Sequence, residues 1–96
     1  MFIQEMGYAV KSQSSLSCSS TARKSLTAFG KTYYLHNSGD YPIYMGNSTG
    51  ITSTGWELLS NEKSGPWTGS GSYPTLYFLG STAGSSVLKC LEVAPW

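Results

Sequence analysis

The stretch Lys31-Thr-Tyr-Tyr-Leu-His-Asn-Ser-Gly-Asp-Tyr-Pro-Ile-Tyr-Met45 decides the fold class. Tyr33 and Leu35 fall on one side of an extended chain and Tyr34 and His36 on the other, the period-two pattern of a strand. Asn37-Ser-Gly-Asp40 then supplies residues that tolerate the positive φ of a tight reversal. Tyr41 to Met45 resumes the alternation, with Ile43 and Met45 on one side. Pro42 has no amide to donate, so this second strand starts at an edge or leaves its first residue unpaired. Residues 31–46 are therefore expected to form a β-hairpin.

The same punctuation runs outward in both directions. Ser14, Leu16 and Cys18 share one face of a possible strand, and Thr21 to Phe29 is a strand and turn closed by Gly30. Downstream, Gly46-Asn-Ser-Thr-Gly50 is a turn, Ile51 to Thr54 is short, and Trp56 to Leu59 precedes a polar connection over Ser60–Pro66. Pro74 to Leu79 is apolar on both faces, as in a central strand. Ser85 to Ala94 is read as the longest strand, again apolar on both faces. No segment keeps a 3.6-residue period. Six to seven short strands at 8–12-residue spacing indicate an all-β fold, a small antiparallel sandwich or barrel. Leu35, Ile43, Leu76, Phe78 and Leu88 are its expected core. Residues 1–15 read as an N-terminal arm or loosely held strand, and residues 16–96 as a single β domain. Met1 is expected to open the complete product of a short gene.

Composition agrees with this class. The 96 residues include 11 Gly and 7 Tyr, only 11% are charged, and the net charge is +1. Short strands joined by Gly, Ser and Asn turns have this make-up. Arg23 and Lys24 are the one adjacent basic pair, so the basic stripe of a nucleic-acid binder is missing. No run approaches the roughly 18 apolar residues of a membrane span. Glu5 stands where a signal peptide would be basic, so no conventional leader is expected.

Catalytic chemistry finds little to use. His36 is the single histidine and lies mid-strand, and the five acids, Glu5, Asp40, Glu57, Glu62 and Glu92, are dispersed. Neither a nucleophile–histidine–acid set nor a pair of opposed carboxylates is legible, and Gly69-Ser-Gly-Ser72 lacks the lysine and helix of a phosphate loop. Cys18 and Cys90 match no metal spacing. They are expected as free thiols, with a disulfide as the alternative. The expectation is a non-enzyme without cofactor or metal. Among the aromatics, Trp67, beside Pro66 and a Gly/Ser stretch, and Trp96, at the end, are the expected exposed anchors. Glu92, between Leu91 and Val93, is either a surface acid or one half of an ion pair at an interface.

From Leu26 onward the chain resembles a group of small β-rich tailed-phage virion proteins. Leu35-His-Asn-Ser-Gly-Asp-Tyr-Pro-Ile-Tyr-Met-Gly46, Ile51-Thr-Ser-Thr-Gly55, Trp56-Glu-Leu58, Leu76-Tyr-Phe-Leu-Gly80 and Val87-Leu-Lys-Cys-Leu-Glu-Val93 carry the likeness. The chain departs from that pattern at Ser64–Ser72, which is bulkier than the usual acidic loop, and at the closing Trp96. The resemblance implies an antiparallel sandwich or barrel attached to a particle as a capsid-decorating, head-fibre, neck or tail component. It implies no catalysis and no cofactor. The expected function is thus a virion structural protein, assembled in the host cytoplasm, that docks on phage capsid or tail proteins in symmetric copies as a homo-oligomer. The alternative is a carbohydrate- or receptor-binding β-domain. Neither nucleic acid nor a membrane is an expected partner. The two-faced apolarity of the last strand exceeds what one sandwich core can use, so Val87, Lys89, Leu91 and Val93 join Trp67, Glu92 and Trp96 as the candidate interface. That strand's face or edge is expected to lie against another subunit.

Overall fold

Turn-forming residues break this chain every few positions, and the alternating stretches between them have only each other to pair with. In the computed structural model, which describes residues 8–95, they pair as eight strands with no helix among them. These are β1 (Tyr8–Cys18), β2 (Lys24–Thr27), β3 (Thr32–Asn37), β4 (Ile43–Gly46), β5 (Trp56–Leu58), β6 (Lys63–Thr68), β7 (Thr75–Gly80) and β8 (Ser86–Pro95). They form two four-stranded sheets, β1-β8-β3-β6 and β2-β7-β4-β5. Every pairing is antiparallel.

The pairings nest. The first strand lies beside the last, β2 beside β7, β3 beside β6 and β4 beside β5. A long antiparallel ribbon has been folded over, and the additional pairs β3–β8 and β4–β7 close it into two sheets. This is the strand order of a jelly roll, an eight-stranded double Greek key. The expected all-β sandwich is the fold, with eight strands in place of six or seven.

The interior follows from alternation. Cys18 from β1, Tyr33 and Leu35 from β3, Leu88 and Cys90 from β8 meet Ile43, Met45, Leu58 and Phe78 from the other sheet. Leu35, Ile43, Phe78 and Leu88 are fully buried as expected, while Leu76 is half-buried against this cluster. At Gly80 the two layers approach so closely that an added Cβ would strike the backbone of Cys18 and Ser19. The Gly80 amide donates to the Ser19 carbonyl at 2.9 Å.

Three expectations about the chain's course are revised. Residues 31–46 are not a hairpin, because β3 pairs with β6 and β8 while β4 lies in the opposite sheet. Asn37 is the reason. Its buried side chain points inward and its Nδ2 donates to the carbonyls of Tyr41 at 2.8 Å and Leu58 at 3.0 Å. Its Oδ1 accepts from the Gly39 amide at 3.1 Å, which turns the chain out of one sheet into the other. The polar connection expected at Ser60–Pro66 contains the start of the edge strand β6. Gly65 and Pro66 oppose Tyr34 as a bulge, and Gly65 takes a φ of 142° that a side chain would not tolerate. Finally, the domain starts before Leu16. Tyr8–Ser15 belong to β1, which pairs with β8 along its whole length, so of the expected arm only residues 1–7 lie outside the described residues.

Candidate functional site

Because β8 is flanked by β1 and β3, both of its edges are already hydrogen-bonded. An interface through the edge of the last strand is therefore ruled out, and only its outward face remains. Alternation decides what that face carries. Leu88, Cys90 and Glu92 turn inward, so Val87, Lys89, Leu91 and Val93 turn outward. Three of the expected interface residues, Val87, Lys89 and Leu91, thus fall on one surface, while Val93 is buried by its own chain. Val87 and Lys89 are exposed, Leu91 is half-buried, and Val93 is only 3% exposed, beside its register partners Val10 and Thr32.

The registers assemble the rest of the surface. Gln13, Leu91 and Tyr34 are aligned across three strands, and the next row is Ser15, Lys89, His36 and Lys63. Together with Val10, Ser64 and Gly65 these residues line a groove of about 680 Å³ across the outer face of the β1-β8-β3-β6 sheet. The bulge at Gly65 lowers β6 against Tyr34 and shapes one wall. His36 Nε2 lies 2.9 Å from Asn61 Oδ1, so the ring is held by the turn before β6. The lining contains two lysines, an imidazole and no carboxylate.

Glu92 lies on the opposite face. It is 9% exposed at the open end of the sandwich, where it accepts from Ser12 Oγ at 3.0 Å and pairs with Lys11 Nζ at 3.5 Å. A β-bulge between Val10 and Ser12 places Lys11 there. Burial, reinforced by the nearby Glu92 charge, raises the Tyr33 phenol above its ordinary range. Glu92 is thus paired within its own chain.

Trp67 is half-buried between the sheets, and its indole Nε1 donates to Ser64 Oγ at 2.9 Å. It lines a smaller hollow with Met45, Trp56 and Leu76. Trp56, 63% exposed, is the ring that stands in the open there, and Phe29 and Tyr73 are comparably exposed at loops. Trp96 lies outside the described residues. Sequence reading passed over Trp56 because a short Trp-Glu-Leu strand gives no sign of which face is inward.

Cys18 and Cys90 are both buried and free. Cys18 is opposite Ser86 and Cys90 opposite Ser14, four positions apart on one ladder or roughly 13 Å, beyond the reach of a disulfide. Burial pushes each thiol up to about 11. Among the described residues no group of three His, Cys, Asp or Glu side chains is placed to hold a metal ion. Comparison with protein-family models, with curated proteins and with solved structures found no match.

Proposed function

We propose that this chain is a non-enzymatic jelly-roll component of a tailed-phage particle, docked on capsid or tail subunits in symmetric copies through the outer face of its β1-β8-β3-β6 sheet. The observation that carries the reading is the collection of Lys89 and Leu91 beside Tyr34 and His36 in one groove, with Val87 farther along the same face. A solvated sheet face needs no aliphatic and aromatic groups recessed between lysines, whereas an interface uses that mixture of apolar centre and charged margin. The resemblance carried by residues 35–46 and 87–93 points to the same kind of protein. Jelly rolls recur in capsids and in lectins, so the fold permits the reading and does not choose it. Purified particles should contain the chain at a fixed ratio to the capsid or tail subunit after repeated banding. A ratio that falls with each round would reject the proposal.

One observation favours the glycan-binding alternative: an aromatic ring, Tyr34, and the polar side chains of Gln13, Ser15 and Ser64 line the same groove. Under that reading the isolated domain binds a neutral saccharide on a glycan array, and Tyr34→Ala abolishes the signal while Trp67→Ala does not.

A further inference from the structure

One row of the groove carries two lysines and no acid to balance them. His36 is directly opposite Lys89 on one side and Lys63 on the other. Lys63 and Lys89 stand two strands apart with the imidazole between them, and no side chain of opposite charge lies in the row. Among the described residues the one ion pair is Lys11–Glu92, so neither Lys63 nor Lys89 is neutralised. A sheet that needed only solubility would alternate signs along this row. The unbalanced charge has a use when an anion comes to it.

Among the described residues no acidic surface is available to supply that anion. Glu92 is buried and paired with Lys11, and Glu62 turns its carboxylate onto the Leu59 amide at 2.7 Å. Asp40 and Glu57 stand singly on separate elements, the β3–β4 turn and the opposite sheet. A second copy of this domain is therefore a poor match for the groove. Its walls also carry Val10, Leu91 and the Tyr34 ring beside the lysines. A polysaccharide or a nucleic-acid backbone supplies anions without aliphatic groups to meet those walls. A protein segment supplies both, because acidic and apolar side chains can follow one another along the same face of it, at every second position.

We propose that the groove receives an extended acidic segment of a different protein, its carboxylates over the Lys63–His36–Lys89 row and its apolar side chains against Val10 and Leu91. This rests on the docking reading and names the chemistry of the partner. The lysines lie on the outer strands of a three-strand span, roughly 10 Å apart, so one segment crossing the strands can engage both.

The test uses the full chain and a synthetic decapeptide with Glu and Val in turn at every second position and Thr between them, so that one face carries both, followed by amide chemical shifts in solution. Shifts should concentrate at residues 34–36, 63–65 and 89–91, and the counterpart with Gln for each Glu should bind at least about tenfold more weakly. The K63E/K89E double variant should lose the acidic peptide at unchanged melting temperature, with K31E as the unaffected control. If K63E/K89E does not fold, K63Q/K89Q serves in its place with an intermediate loss. Equal binding of the Gln peptide, shifts confined to another surface, or occupancy by heparin or oligo-dT without the peptide would each overturn the proposal. Particle occupancy separates the two levels of inference. K63E/K89E present on particles at full ratio, with peptide binding lost, leaves docking in place and refutes this groove as its seat. A wild-type chain that binds the peptide but is absent from particles keeps the groove and refutes the virion reading.

Discussion

Replacing Asn37 with Asp changes one NH2 group to oxygen and almost nothing in shape, yet it should be among the most damaging substitutions in the molecule. Asn37 is fully buried. Its Nδ2 holds the carbonyls of Tyr41 and Leu58, from the turn and from the opposite sheet, while its Oδ1 holds the Gly39 amide. Tyr41 O keeps a second donor in Ser86 Oγ at 2.7 Å, so its loss is partial. Leu58 O has no such reserve among the described side chains, and an aspartate would direct a buried oxygen at both carbonyls. An unsatisfied buried group costs roughly 1–3 kcal/mol, and facing acceptors add to that, giving a total of about 3–5 kcal/mol. The whole domain should have about 5–14 kcal/mol at ordinary stability per residue. Since about 1 kcal/mol moves the midpoint of so small a domain by roughly 4–8 °C, Asn37→Asp should melt about 15 °C or more below wild type at neutral pH. Asn37→Ala should fall in the same range, because it loses all three bonds and leaves a small cavity. Thermal and urea denaturation followed by tryptophan fluorescence measures both. An Asn37→Asp variant melting within two degrees of wild type would mean that this side chain does not hold the corner between the sheets.

Other perturbations probe the remaining layers. Phe78→Ala removes the largest fully buried side chain and should cost about 3–5 kcal/mol in urea denaturation. Gly80→Ala should destabilise far more than Gly71→Ala, which has open space around it, when the two are compared by melting temperature. Both thiols are raised from 9.0 to about 11 by burial, so the folded state holds their protons more tightly than the unfolded chain. The thiols' contribution should therefore be fully present below pH 9 and be lost between pH 9 and 11, on the order of 2–3 kcal/mol per thiol, with a shallower fall in Cys90→Ala. Both cysteines should resist alkylation in the native protein at pH 8 and react fully in denaturant. Deleting residues 1–15 removes most of β1 and uncovers the edge of β8, so that variant should lose cooperative melting.

How far the sequence could be read depended on whether a feature was local. Alternation within Thr32–Asn37 and the apolar runs of Thr75–Gly80 and Ser86–Pro95 are properties of each segment, and they placed Leu35, Phe78 and Leu88 in the core. Sheet membership is not local. Asn37-Ser-Gly-Asp40 has the chemistry of a turn, but whether its flanking strands share a sheet depends on Leu58 O, twenty-one residues away, receiving the Asn37 side chain. Glu92 was misplaced for the same reason: Lys11 becomes its partner only through the bulge between Val10 and Ser12 and the register of β1 on β8. Of the candidate site, the outward set on β8 was legible from period-two spacing. The groove was not, because Tyr34, His36 and Lys63 reach it across three strands whose order no single segment encodes. Ile51–Thr54, read only as a short segment, belongs to no strand. Ile51 is instead a buried loop residue whose carbonyl accepts from Arg23 Nε at 2.9 Å and Nη2 at 2.6 Å.

Lysine acylation read by mass spectrometry, compared between the free chain and intact particles, asks whether the outer face of the β1-β8-β3-β6 sheet is the docking surface. Lys63 and Lys89 line the groove, whereas Lys24 lies in the other sheet and Lys31 precedes β3. All four are exposed in the free domain and should react comparably there. On the particle, Lys63 and Lys89 should be protected several-fold while Lys24 and Lys31 keep their reactivity. Protection of Lys24 and Lys31 with Lys63 and Lys89 still fully labelled would place the contact on the other side of the domain and contradict the proposed interface.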